Sequence, residues 1–124
     1  MEIVELNNGL KVVNAASGHP YNMEDGTVVP PSGNTLNAKR AETPVEHSHI
    51  PDGVDAVKTE MLPDDAGLEF IKTVPEGVLV VGSIAAAQAY GYPVIALTAN
   101  KETADRSVAP ADKKMDTTKI IAFW

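Results

Sequence analysis

The pattern of apolar and turn-forming residues in the second half of the chain constrains the fold more than any other feature. Residues 78–81 are four uninterrupted apolar residues, as is typical of a strand buried on both faces. The alanine-rich stretch 84–90 follows, with Ser83 as a candidate N-cap and Gly91 as a candidate C-terminal stop. A second apolar run covers residues 94–97. The sequence therefore predicts a strand, a short capped helix and another strand, in that order.

Shorter apolar runs separated by turn signals fill the rest of the chain. Residues 2–6 and 10–15 flank the turn sequence Asn-Asn-Gly at 7–9, which predicts a β-hairpin. A third strand at 26–29 should stop at Pro-Pro-Ser-Gly, residues 30–33, because proline cannot donate to a ladder. Further strands are predicted at 34–45, 56–61 and 119–124, an acidic turn at 62–67, and irregular segments at 17–25, 47–55 and 99–116.

Length and composition favour one small domain. The 124 residues are 44% hydrophobic but only 5% aromatic, so the core must be built from aliphatic side chains. We expect a single domain over residues 1–124, β-rich in 1–62 and strand-helix-strand in 63–124. The predicted class is α+β: a small, mostly antiparallel β-sheet with one short Ala-rich helix.

Charge and cysteine content exclude several classes of function. The formal charge of −7 disfavours a nonspecific hold on a nucleic acid polymer through many phosphates. The absence of cysteine excludes disulfides, zinc-thiolate sites and thiol nucleophiles. No basic segment followed by an apolar run stands at the N-terminus, and no apolar stretch approaches the roughly 20 residues that span a bilayer. We therefore expect a soluble protein that is not exported and has no membrane partner.

No residue pattern indicates a catalytic or metal site. His47 and His49 would share a face of an extended segment near Glu46 and Asp52, but a third ligand at a defined spacing is missing. The paired aspartates at 64–65, and those at 52 and 55, have nothing nearby in sequence to separate their pKa values. The sequence Gly-Ser-Ile-Ala at 82–85 departs from the nucleophile elbow. We expect no enzyme activity, no metal and no cofactor.

Binding of a phosphate group is the better-supported chemistry. Gly82 and Ser83 bring a strand to a helix N-terminus, where free N–H groups and the helix dipole favour an anion, although a simple capped crossover helix has the same pattern. Arg40 and Arg106 are the only arginines and offer planar forks suited to phosphate, although both could be surface charges. Few aromatic side chains could stack on a base, and these are Tyr90, Tyr92, Phe123 and Trp124.

Two segments of the chain resemble a known family. They are residues 27–33 (TVVPPSG), which lead towards a basic residue, and residues 75–83 (PEGVLVVGS), which lead into the alanine-rich helix. With the preceding strand pair, this order resembles the small phage proteins of the Thoeris anti-defence type, which are cyclic ADP-ribose sponges. The resemblance runs loosely over most of the chain.

The resemblance implies a function for this chain. Such a protein sequesters, without cleaving it, a nucleotide signal made by bacterial TIR-domain enzymes, in the cytoplasm of the infected bacterial host. It implies homo-oligomers with pockets between protomers, and the implied ligand contacts are Arg40, Arg106 and Asn100, beside the candidates Gly82, Ser83 and Tyr90. The alternatives are a sponge for CBASS cyclic oligonucleotides, a structural or accessory phage protein without a nucleotide ligand, and a small nucleotide hydrolase.

Overall fold

Nine strands and two helices make up the part of the chain that the computed structural model describes, residues 2–104, 107–109 and 113–124. In chain order they are β1 (Ile3–Glu5), β2 (Lys11–Asn14), β3 (Tyr21–Asn22), β4 (Val28–Val29), β5 (Ala38–Pro44), β6 (Val57–Pro63), α1 (Asp65–Lys72), β7 (Leu79–Val81), α2 (Ile84–Tyr90), β8 (Val94–Ala99) and β9 (Met115–Ile121).

A five-stranded mixed sheet lies at the centre, in the order β1-β2-β7-β8-β9. The three inner strands, β2, β7 and β8, run parallel, and the two outer strands pair antiparallel with their neighbours. Helix α2 makes the crossover from β7 to β8, because parallel neighbours cannot be joined by a tight turn. The carboxyl ends of β2, β7 and β8 therefore meet at one edge of the sheet.

Both faces of the inner strands are buried, as their uninterrupted apolar sequences require. On one face Val13, Val80 and Val94 pack with the alanines of α2 and with Leu36. On the other face Val12, Val81 and Ile95 pack with a second apolar set, namely Leu6, Met23 and Val29. Side chains alternate between the two faces along each strand, so both clusters depend on the same register.

A long two-stranded ribbon, β5 and β6, stands outside the central sheet. It holds seven cross-strand pairs, from Ala38 with Pro63 to Pro44 with Val57. Its base packs on α2, whereas most of its residues towards the loop 45–56 are exposed. The short pair β3 and β4 forms another separate ribbon.

A hydrogen-bonded tyrosine fixes the base of the long ribbon. The Tyr90 hydroxyl, at the end of α2, donates to the Asn37 carbonyl at 2.7 Å and accepts from the Asp64 backbone N–H at 3.1 Å. Asn37 immediately precedes β5 and Asp64 immediately follows β6, so one phenol holds both ends of the ribbon. Asp64 also caps α1, because its Oδ1 accepts from the Gly67 N–H at 2.7 Å. The ribbon and both helices are thus coupled through Tyr90.

Several sequence predictions are confirmed, since the N-terminal hairpin, the strand at 79–81 and the helix 84–90 form where expected. The mixture of helix and predominantly strand is also correct. The prediction of a single helix is wrong, because residues 65–72, whose start was read as an acidic turn, form α1. The prediction of a mostly antiparallel sheet is wrong for the central strands β2, β7 and β8, which are parallel. The final strand covers Met115–Ile121 rather than 119–124.

Neither helix in the described ranges has the length and apolar character needed to cross a bilayer.

Candidate functional site

A cleft of about 520 Å³ opens between the loop that follows β2 and the segment that leads into β9. Its walls are made by residues far apart in sequence: Ser17, His19, Pro20, Tyr21 and Asn22 on one side, and Ala109, Lys113 and Met115 on the other. The first wall follows the carboxyl end of β2, and Met115 of the second wall pairs with Ala99 at the carboxyl end of β8. Ligands of open α/β sheets commonly bind at this edge. Its volume is in the range typical of small-molecule sites.

Asn14 fixes the first wall. Its side chain is completely buried, and Nδ2 donates to the His19 carbonyl at 2.9 Å while Oδ1 accepts from the Ala16 N–H at 3.1 Å. The Ser17 hydroxyl in turn accepts from the His19 N–H at 3.2 Å. These bonds hold the loop in one conformation and place Tyr21 against the cleft.

A polar network fixes the second wall. Asn100 Nδ2 donates to Glu24 at 3.2 Å, and its Oδ1 accepts from the Thr103 hydroxyl at 2.8 Å. The same hydroxyl oxygen accepts from the Lys114 N–H at 2.9 Å, and Glu24 donates its backbone N–H to the Met115 carbonyl at 2.9 Å. The segment 113–115 is therefore tied to Glu24, which follows β3, and to Asn100 and Thr103, which follow β8.

The cleft combines a cation, a phenol and apolar surface. Lys113 is half-buried and forms no ion pair within the described part of the chain. Burial raises the pKa of the Tyr21 phenol, and its hydrogen bond with Ser17 only partly offsets this shift. The phenol therefore stays protonated at neutral pH and can donate. Together with Pro20 and Met115, these groups suit an anionic ligand that carries a flat ring.

A second cavity, of about 600 Å³, is formed within the single loop 45–54 at the end of the long ribbon. His47 and His49 stack there with ring centroids 4.9 Å apart. The His49 N–H donates to His47 Nδ1 at 3.1 Å, so this ring nitrogen is already engaged within the loop. No cluster of metal-binding side chains occurs in residues 2–104, 107–109 and 113–124.

Gly82 and Ser83, two of the predicted ligand contacts, lie outside the lining of the cleft. A Cβ on Gly82 would come within 3.1 Å of both Ala86 Cβ and Val94 Cγ1, so this glycine lets α2 approach β8. The Ser83 hydroxyl accepts from the Ala86 N–H at 3.1 Å and so serves as the N-cap of α2. Both residues have packing or capping roles in the protomer.

The other predicted contacts are dispersed. Tyr90 holds the base of the ribbon, Asn100 holds the second wall of the cleft, and Arg40 lies exposed on β5. Arg106 lies outside the described residues. Among the predicted contacts that the structure describes, Asn100 alone lies next to the cleft, where it supports the wall without lining it.

The capping role of Ser83 gives a direct prediction. Ser83→Ala removes the acceptor of the Ala86 N–H, and we expect unfolding to become easier by about 1 kcal/mol. Urea denaturation followed by circular dichroism measures this loss. Ser83→Asp restores an acceptor at the cap and should retain nearly full stability. Equal losses in the two variants would refute the capping role.

Sequence reasoning missed the residues that line the cleft. His19, Tyr21, Lys113 and Met115 all lie in the segments 17–25 and 99–116, which the sequence predicts to be irregular, and none of them is a predicted contact. What these residues share is their place in the fold. His19 and Tyr21 follow the parallel strand β2, whereas Lys113 lies just before β9 and Met115 begins it, and β9 pairs with the parallel strand β8. This shared place can be recognised only when β2 is known to pair with β7, from which it is separated by the 64 residues 15–78.

Comparison with other proteins gives no relative: the sequence matches no protein-family model, and neither the curated proteins nor the solved structures searched gave a match.

Proposed function

We propose that this protein captures a cyclic ADP-ribose-type signalling nucleotide and holds it without cleaving it, so that Thoeris immunity is blocked in the cytoplasm of an infected bacterium. The observation that carries the proposal is the meeting of Lys113, Tyr21 and Met115 in one cleft with two fixed walls. The resemblance of segments 27–33 and 75–83 to Thoeris anti-defence proteins supplies the identity of the signal.

The chemistry of the cleft matches the parts of such a ligand. A diphosphate suits the Lys113 ammonium and the Tyr21 hydroxyl, both of which donate hydrogen bonds. A purine ring suits the apolar surface of Pro20 and Met115. Because the walls are held by internal hydrogen bonds, little ordering is needed when the ligand binds, and less affinity is lost to that ordering.

Release of the bound molecule separates the candidate functions. The protein is incubated with cyclic ADP-ribose isomers, separated from free ligand and denatured by heat, and the released compound is analysed by mass spectrometry. Recovery of intact ligand supports capture. A cleaved product identifies an enzyme, and an undepleted solution refutes nucleotide binding. Parallel incubation with cyclic oligonucleotides distinguishes a CBASS sponge.

Lys113 should contribute strongly to affinity. We expect Lys113→Gln to weaken binding of the retained isomer by about ten- to a hundredfold, because one charge-assisted hydrogen bond in a partly buried site is lost. Isothermal titration calorimetry measures the change. Lys101→Gln is the matched control, since Lys101 is exposed and does not line the cleft. Equal affinity in wild type and Lys113→Gln would place the ligand elsewhere.

A further inference from the structure

The outer edge of β5 pairs with no other strand among the residues that the structure describes. The Val45 N–H donates to the Ala56 carbonyl at 2.9 Å, so Val45 and Ala56 form a hydrogen-bonded pair that continues the β5–β6 register. Hydrogen-bonded and non-hydrogen-bonded pairs alternate along an antiparallel ladder. The backbone groups of Ala38, Arg40, Glu42 and Pro44 therefore point away from β6.

The two prolines of the ribbon agree with this assignment. Pro44 and Pro63 both occupy positions whose backbone nitrogen faces outward. Proline has no N–H to donate, and within sheets it is restricted to such edge positions. The N–H groups of Arg40 and Glu42, by contrast, are intact donors. In the described part of the chain neither has a backbone partner outside the ribbon.

Within the described residues, the long ribbon is supported mainly at its base and on its β6 side. A two-stranded hairpin is marginally stable in water unless further strands or a packed face support it. Helix α2 packs mainly against β6, and only the base of the ribbon is fixed by Tyr90. The β5 side is exposed, as are Val45 and Val57 near its end, at 40% and 46%. An additional strand would therefore fit beside β5.

We propose that β5 pairs antiparallel with β5 of a second copy of this chain, about a two-fold axis through Ala41. In this register Arg40 lies directly opposite Glu42 of the partner subunit, on the same face, and symmetry repeats the pair. The outward backbone groups form about six hydrogen bonds across the axis. The two ribbons become one four-stranded sheet, β6-β5-β5-β6.

Charge selects this register over its neighbours. An axis through Arg40 places two guanidinium groups opposite each other, and an axis through Glu42 does the same with two carboxylates. Directly opposed like charges destabilise antiparallel pairs, whereas opposite charges stabilise them. The axis through Ala41 places Arg40 opposite Glu42 of the partner subunit, so the two charged residues of β5 whose backbone groups face outward each meet a residue of opposite charge. This interface is independent of the proposed nucleotide cleft, which lies on other elements.

Charge reversal tests the pairing. At about 100 µM, where an interface of micromolar affinity is occupied, sedimentation velocity should show the wild-type protein as a dimer or larger assembly. Arg40→Glu and Glu42→Arg should each weaken self-association at least tenfold, and the double variant Arg40→Glu/Glu42→Arg should restore it. Lys39→Glu is the matched control, because residue 39 is opposite uncharged Thr43 of the partner subunit. Monomeric wild type, or no restoration in the double variant, overturns the proposal.

A cysteine at the axis tests the register directly. The chain has no cysteine, so Ala41→Cys creates a unique thiol. Ala41 pairs with its own copy as a non-hydrogen-bonded pair, whose Cα separation of about 4.5 Å is within disulfide range. Mild oxidation should convert most of this variant to a covalent dimer on non-reducing gels. Thr43→Cys, which is opposite residue 39 of the partner subunit, should cross-link far less. Equal cross-linking of the two variants overturns the register.

Discussion

Gly67→Ala should destabilise the protein by about 2–3 kcal/mol, although alanine is the better helix former. Gly67 lies in the interior of α1, where exchange for alanine would ordinarily stabilise by about 1 kcal/mol. Here an added Cβ would overlap the Tyr90 ring and hydroxyl. Displacing Tyr90 breaks its bonds to Asn37 and Asp64, each of which contributes about 1 kcal/mol, and disturbs packing on α2. Denaturant titration measures the net loss.

A double-mutant cycle shows whether Tyr90 is the cause. In a Tyr90→Leu background the phenol is absent, so Gly67→Ala should cost little or become stabilising. Ala66→Gly, one residue earlier on the exposed side of α1, serves as the control for helix propensity alone and should cost about 1 kcal/mol. A full loss from Gly67→Ala in the Tyr90→Leu background would contradict the steric explanation.

Asn14→Ala should have an effect of similar size and also impair ligand binding. The change removes the 2.9 Å donor of the His19 carbonyl, which keeps only a longer bond from the Ser17 hydroxyl at 3.4 Å. It also takes the acceptor from the Ala16 N–H and opens a cavity at a completely buried position. We expect a loss of about 2–4 kcal/mol in the free energy of unfolding. Because the loop after β2 carries Tyr21 into the cleft, binding of the proposed nucleotide ligand should weaken at least tenfold.

The matched control for Asn14 is Asn34→Ala. Asn34 is exposed, and its side-chain amide makes no bond that holds either wall. The free energy of unfolding of Asn34→Ala should differ from that of the wild type by less than about 0.5 kcal/mol, and its affinity for the nucleotide should be unchanged. Stability is read from urea denaturation and affinity from calorimetry at a temperature where every variant is folded. Unaltered binding by folded Asn14→Ala would show that the loop does not need this anchor.

The acidic segment at 62–67 shows why helix α1 was not predicted from the sequence. Pro63 and Asp64 are equally consistent with a turn and with the start of a helix, and Gly67 favours the turn by local propensity. The helix forms because Asp64 caps it and because Phe70 and Ile71 pack on the core. Tertiary packing therefore outweighed the weak local preference, as is usual for short helices.

The arginines illustrate the same limit for the site. The scarcity of arginine and its planar fork favoured Arg40 as a phosphate contact. The local sequence carries no information that the strand of Arg40 belongs to an exposed ribbon. Asn100 was predicted to touch a ligand, whereas both ends of its amide bind protein groups. A side chain's chemistry is readable from sequence. Its hydrogen-bond partners can lie far away in the chain, as Glu24 does from Asn100.

The sequence by itself determined the strand, capped helix and strand of residues 79–97, because a continuous apolar run, a serine cap and a glycine stop act through neighbouring residues. The absence of a catalytic pattern was also noted from local sequence, and it stays a prediction. Only the tertiary structure decided that β2 lies parallel to β7 and that the loops beside their carboxyl edge form a cleft. Parallel pairing leaves no local signature, since its partners are joined by long crossovers and selected by burial on both faces.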